Sequence, residues 1–154
     1  MVDEKKKKSN ALLGSIGALL GALVGIGICG VGAGFVSNFS IILGGILGLV
    51  ITYGYEKLGG GLDIKGLILS AIVIAVATFI GIQLSWVISI YRQYMEAIGG
   101  ASIPGIYESF FDILSICKVT ARFFVNLLMA YLGAMVVLFY MHAKSQKNKD
   151  TELE

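Results

Sequence analysis

The feature that most constrains this chain is a series of four long stretches that carry no charged side chain. From Ala11 to Val36 there is none. A helix over that run has about 26 residues and is roughly 39 Å long, enough to cross a hydrocarbon core of about 30 Å with some tilt. The polar pair Ser37-Asn38 separates it from a second uncharged run, Phe39 to Tyr55. That run has about 17 residues, the short end for a span. Leu67 to Tyr91 and Phe123 to Met141 are the third and fourth. Hydrocarbon offers no hydrogen-bond partners, so such runs satisfy their backbone groups within helices. The expected fold is an all-α membrane protein with four transmembrane helices and an amphipathic interfacial helix before the last span.

Composition supports this reading. Of 154 residues, 56% are hydrophobic and 14% charged, against about 25% charged in a soluble domain. Glycine occurs 21 times and proline once. Disordered chains lack so much apolar surface, whereas glycine-rich membrane helices use it for close backbone contact. The expected organisation is a lysine-rich tail (1–10), a helical membrane domain (11–141) and a charged tail (142–154). Spans are expected near 11–36, 39–55, 67–91 and 123–141, with the amphipathic helix near 104–122. With the N-terminus inside, Lys5 to Lys8, Lys57, Lys65, Lys144, Lys147 and Lys149 lie inside, and Arg92, Lys118 and Arg122 outside. This asymmetry predicts a cell-membrane protein with both termini cytoplasmic. No nucleic-acid partner is expected; the partners are the lipid bilayer and a second copy or another membrane protein.

Within the first run, Gly25-x-Gly27-x-x-Gly30 spells the glycine pattern of a dinucleotide-binding turn. That turn needs a strand before it and an acidic residue about 20 positions later. Here the preceding residues have helical glycine spacing, and the first acid is Glu56. The match follows from glycine abundance, and no cofactor is expected. Ile28 before Cys29 is too bulky for a lipoprotein signal, and the apolar core is too long for a cleaved secretory one.

On a helical projection, Gly14, Gly17, Gly21, Gly25 and Gly32 share one face, while Gly27, Gly30 and Gly34 fall near the opposite side. Gly17-x-x-x-Gly21-x-x-x-Gly25 reads as a glycine zipper, and Gly44-x-x-x-Gly48 repeats the device on the second span. Small residues let helix backbones approach, gaining dispersion and weak Cα–H···O contacts. The expectation is that the first two spans pack through these glycines, with the first helix central in the bundle. Rotary proteolipids also combine glycine-rich helices with a short chain, but they need a carboxylate in mid-span. The five carboxylates from Glu56 to Asp112 all lie outside the four runs.

The segment "SIPGIYESFFDILSICKVTARFF" holds the remaining polar candidates. Ser102 suits a cap and Pro104 a first helical turn. Glu108 and Asp112 near one end, with Lys118 and Arg122 near the other, complement a helix dipole. Glu108, Asp112, Ser115 and Arg122 share one face, which Asn126 continues into the fourth span. This face reads as solvated surface, or as a lid over a polar vestibule to which Gln83, Ser85 and Ser89 contribute. His142 is the single histidine, so triads and zinc sites have little support. Cys29 and Cys117 are expected as free thiols. No catalytic or metal-binding residue is assigned.

The blocks "GSIGALLGALVGIGI", "ILGGILGLVITYGYEKLGG", "LSWVISIYRQYMEA" and "YESFFDIL", in this order, resemble a family of small uncharacterised glycine-rich multi-pass membrane proteins from Firmicutes-type bacteria. The resemblance covers most of Ala11 to Ala134 and implies a fold but no activity. In Tyr55-Glu56-Lys57-Leu58-Gly59-Gly60, the glycines are placed to stop the second helix with positive φ. The leading functional expectation is a non-enzymatic scaffold or accessory subunit. The rivals are a small transporter or channel using Glu108, Asp112, Gln83 and Asn126, and a membrane enzyme with an outer-surface carboxylate site.

Overall fold

A computed structural model describes residues 10–32, 36–97, 99–100 and 102–151. The protein is an all-α membrane protein. Its elements are α1 (Ala11–Val31), α2 (Val36–Gly59), α3 (Ile64–Ala97), α4 (Ile103–Glu108), α5 (Phe110–Ile116) and α6 (Thr120–Thr151). Four of them, α1, α2, α3 and α6, are long and apolar enough to cross a membrane. Lys5 to Lys8 and Gly34 lie outside the described residues.

Helix ends follow local chemistry. The second helix takes in Ser37 and Asn38 as its first turn and runs on to Gly59. Gly60 then adopts φ 81° and Gly61 φ 150°, and the Gly60 N–H bonds the Glu56 carbonyl at 3.0 Å. A side chain would be strained at either position. The third helix continues past Tyr91, because Arg92 to Ala97 are polar but mostly helix-forming. Its 34 residues make a rod of roughly 51 Å, longer than the hydrocarbon core of about 30 Å. The fourth spanning helix likewise absorbs the charged residues after His142 up to Thr151, a segment read from sequence as a tail.

The amphipathic segment is two short helices, not one continuous helix. Ser102 caps α4, its Oγ accepting from the Gly105 N–H at 3.3 Å, with Pro104 in the first turn. The break at Ser109 has φ −96° and ψ 17°. After α5 the Lys118 N–H bonds Ser115 O at 3.1 Å and the Val119 N–H bonds Leu114 O at 3.0 Å. This pair of bonds is a Schellman ending. It places Lys118 at φ 55°, where glycine is the usual occupant.

Packing centres on α2, not on α1 as the glycine pattern alone suggests. On one side, antiparallel α1 meets α2 through Gly17, Gly21 and Gly25. A Cβ on Gly17 would collide with the Gly54 backbone, and one on Gly21 would lie 2.6 Å from Val50 O. A Cβ on Gly25 would lie 3.1 Å from Leu47 Cγ. On the other side, Gly44 and Gly48 pack against α6 rather than against α1. A Cβ on Gly44 would lie 2.6 Å from Ala130 Cα, and one on Gly48 would lie 3.0 Å from Ala134 Cα. The residue numbers at this second seam rise together, so α2 and α6 run parallel, as a four-span path requires. Gly27 has nothing within 4 Å of its would-be Cβ, whereas Gly30 faces Leu84 and Ile88 of α3.

Tyr55 locks one end of the bundle. It is 1% exposed, and its ring fills the space left by Gly14 of α1, Gly59 of α2 and Gly66 of α3. Two further bonds close the same end. The Asn10 N–H donates to Gly59 O at 3.1 Å, and the Leu62 N–H donates to Ser145 Oγ at 3.3 Å. The opposite end carries the α4–α5 segment.

Candidate functional site

The α4–α5 segment is fastened to the bundle by its buried stripe. Ile106, Phe110 and Leu114 recur every four residues and are almost wholly buried, as a helix face docked on a core must be. Phe110 meets Phe123 of α6 edge-on at 5.3 Å between centroids. Phe123 in turn meets Trp86 of α3 at 6.2 Å and 81°. These T-shaped contacts bring the positive ring edge to the negative face of its neighbour. The Tyr107 hydroxyl donates to Gln83 Oε1 at 3.3 Å, adding one polar tie from α4 to α3.

The candidate polar face does not assemble as one site. Glu108, Asp112, Ser115 and Arg122 are exposed, on the side of α4–α5 and the start of α6 that points away from the core. Asn126 is instead 6% exposed. One turn into α6 the helix has entered the bundle, so the shared helical face turns from solvent to protein interior. The Asn126 Nδ2 group is buried with no hydrogen-bond partner among the described residues, as are Trp86 Nε1, Ser70 Oγ and Thr78 Oγ1. Gln83, Ser85 and Asn126 are all buried.

Other polar side chains within the spans are satisfied by the backbone. Ser85 Oγ donates to Cys29 O at 2.6 Å, joining α3 to α1. The Tyr131 hydroxyl donates to Ala75 O at 2.9 Å, joining α6 to α3. Thr52 Oγ1 returns to Gly48 O in its own helix at 2.7 Å. The Ser85 and Tyr131 bonds act as interhelical ties, each typically contributing about 0.6 kcal/mol in a membrane protein. The sequence carries no sign of the buried Thr52 or of the half-buried Tyr131 tie, because each occurs singly in an apolar run.

Hollows lie beside the bundle among the described residues. One, of about 380 Å³, is lined by Tyr94, Ser102, Gly105, Ile106, Ser109 and Ile113, between the end of α3 and the α4–α5 segment. Another, of about 500 Å³, is an apolar groove formed by Val24, Gly27, Ile28, Val31, Gly32 and Leu43. A Cβ on Gly27 would meet nothing within 4 Å there. Both cysteines are free, Cys29 buried and Cys117 exposed. Among the described residues no three His, Cys, Asp or Glu side chains come together as a metal site would require.

Comparison with protein-family models, curated proteins and solved structures gives no match. Four apolar helices in one bundle make the chain a multi-pass membrane protein by length and composition.

Proposed function

We propose that this protein is a non-enzymatic scaffold or accessory subunit of a bacterial cell membrane, acting with another membrane protein or with further copies of itself. The observation that supports this reading most is the contact of α2 with α1 and α6 at backbone distance, at Gly17–Gly54 and Gly44–Ala130. Seams of this kind leave no room for a solute to pass along them, and they suit a rigid body that holds a partner. The resemblance to the small glycine-rich family supports a bacterial setting. The excess of lysine beside the α2–α3 loop supports placing that loop and both termini in the cytoplasm.

Purification in mild detergent followed by mass spectrometry tests this. The expected result is a stoichiometric membrane-protein partner or a homo-oligomer. A monomer that has no partner and moves a solute into liposomes overturns it.

A second reading, a small transporter, is favoured by one observation: the Asn126 Nδ2 group, buried near the α4–α5 end with no hydrogen-bond partner among the described residues. Buried polar groups in spanning helices commonly mark a solute path. Liposome flux that falls in an Asn126→Leu variant would support it. Absence of flux under any imposed gradient would count against it.

A further inference from the structure

We infer that the α2–α3 loop end of the bundle is a binding surface for the headgroups of anionic phospholipids. Lys57 closes α2, Lys65 opens α3, and Lys144 and Lys147 stand on the projecting part of α6; all four are exposed. They sit where the apolar stretches stop, at Gly59, Ile64 and Lys147. The Leu62–Ser145 bond holds the α6 lysines beside the loop that joins Lys57 to Lys65. The Asn10–Gly59 bond and the Tyr55 socket fix the same end. The backbone positions that carry the four lysines are therefore held together at one end of the bundle.

The balance of charge singles out this end. Among residues whose burial is described, its four lysines face two carboxylates, Glu56 and Asp63, both half-buried, and further along α6 Lys149 is balanced by Asp150. At the α4–α5 end, Arg92, Lys118 and Arg122 are matched by Glu96, Glu108 and Asp112. Among the described residues, the α2–α3 end alone carries net positive charge at headgroup depth.

The neighbouring side chains favour a lipid over a free anion. Tyr53, Leu58, Ile64 and Ile68 are exposed just inside the lysine rim, where acyl chains would lie. Lys57 Nζ donates to the Tyr53 hydroxyl at 3.2 Å and stands 5.5 Å from the ring centroid. A tyrosine–lysine pair of this kind is an interfacial anchor, with an apolar body in the chains and a polar tip among the headgroups.

The inference is independent of the scaffold reading and stands or falls separately from it. The full chain is reconstituted in liposomes, and its association with spin-labelled phosphatidylglycerol and phosphatidylcholine is compared by electron paramagnetic resonance. Each lysine near an anionic surface adds attraction, so a preference of about tenfold for phosphatidylglycerol is expected. It should collapse in about 1 M salt, where the screening length is about 3 Å. It should also be lost in Lys57→Gln/Lys65→Gln/Lys144→Gln and kept in Arg92→Gln/Lys118→Gln. Equal association of the two lipids with the unaltered chain overturns the proposal. So does selectivity that survives the triple substitution, or equal loss in both variants. Selectivity removed by millimolar inorganic phosphate, but not by chloride of equal ionic strength, would assign the rim to a free anion and overturn the lipid assignment. If the triple variant does not fold, the salt titration decides alone, and selectivity indifferent to salt refutes the proposal.

Discussion

Replacing Gly44 with alanine adds one methyl group at the seam between α2 and α6. That carbon would lie 2.6 Å from both the Cα and the carbonyl carbon of Ala130. Ordinary carbon contacts are about 3.5–4.0 Å, so the helices must part by roughly 1 Å. The atoms in the way are backbone and cannot swing aside as a flexible side chain would. Gly48 against Ala134 and Gly133 against Ile41 share the seam, so the same movement loosens them. A gap of about 1 Å forfeits up to half of each contact's dispersion energy. Overpacking of this kind costs about 1–3 kcal/mol. Alanine is the better helix former by about 1 kcal/mol in water, which offsets part of the loss. Because the obstacle is rigid backbone, the overpacking loss lies toward the upper end of its range, so the expected net effect is a destabilisation of up to about 2 kcal/mol.

Gly27→Ala is the matched control. Its Cβ meets nothing within 4 Å, so only the helix-propensity gain remains, up to about 1 kcal/mol. The two variants should therefore fall on opposite sides of the unaltered protein in reversible SDS unfolding from mixed micelles. A Gly44→Ala protein as stable as the original, or a Gly27→Ala protein weakened to the same degree, would refute the argument.

Two further predictions follow from other contacts. Gly66→Ala should push Tyr55 out of its socket, since a Cβ there would lie 2.7 Å from the ring Cζ and 2.8 Å from the hydroxyl. Tyr55→Leu in the same chain should recover part of the loss, and a double-mutant cycle with no coupling between the two positions would contradict the socket. Reporter fusions after Gly60 and after Gly100 should report opposite sides of the membrane, the first cytoplasmic; a shared side would sink the four-span path.

Much of the fold is legible in the sequence because hydropathy acts locally. Each uncharged run contains a spanning helix, and the glycine stops after α2 follow from backbone sterics at Gly60 and Gly61. The helix ends are less legible where charge and helix termination part company. Arg92 to Ala97 and the residues after His142 leave the apolar run without leaving the helix. The α5 ending falls on Lys118, a residue type that gives no warning of a left-handed turn. Glycine faces are visible on a projection, but their partners are not. Gly44-x-x-x-Gly48 carries no mark of whether α1 or α6 lies against it, because that choice rests on Ala130, Gly133 and Ala134, far away in the chain. For the candidate site, a projection groups Asn126 with Glu108 and Asp112. It cannot reveal that the helix enters the bundle between Arg122 and Asn126.

The central claim is that α2 lies between α1 and α6, parallel to the latter. Cysteine crosslinking in a background without Cys29 and Cys117 tests it directly. A Cβ on Gly45 would lie 3.7 Å from Val137 Cγ2, so Gly45→Cys/Val137→Cys should form an intramolecular disulfide readily on oxidation. Gly27→Cys/Val137→Cys, with position 27 on the open face of α1, should not. A crosslink absent from the first pair and present in the second would contradict the arrangement.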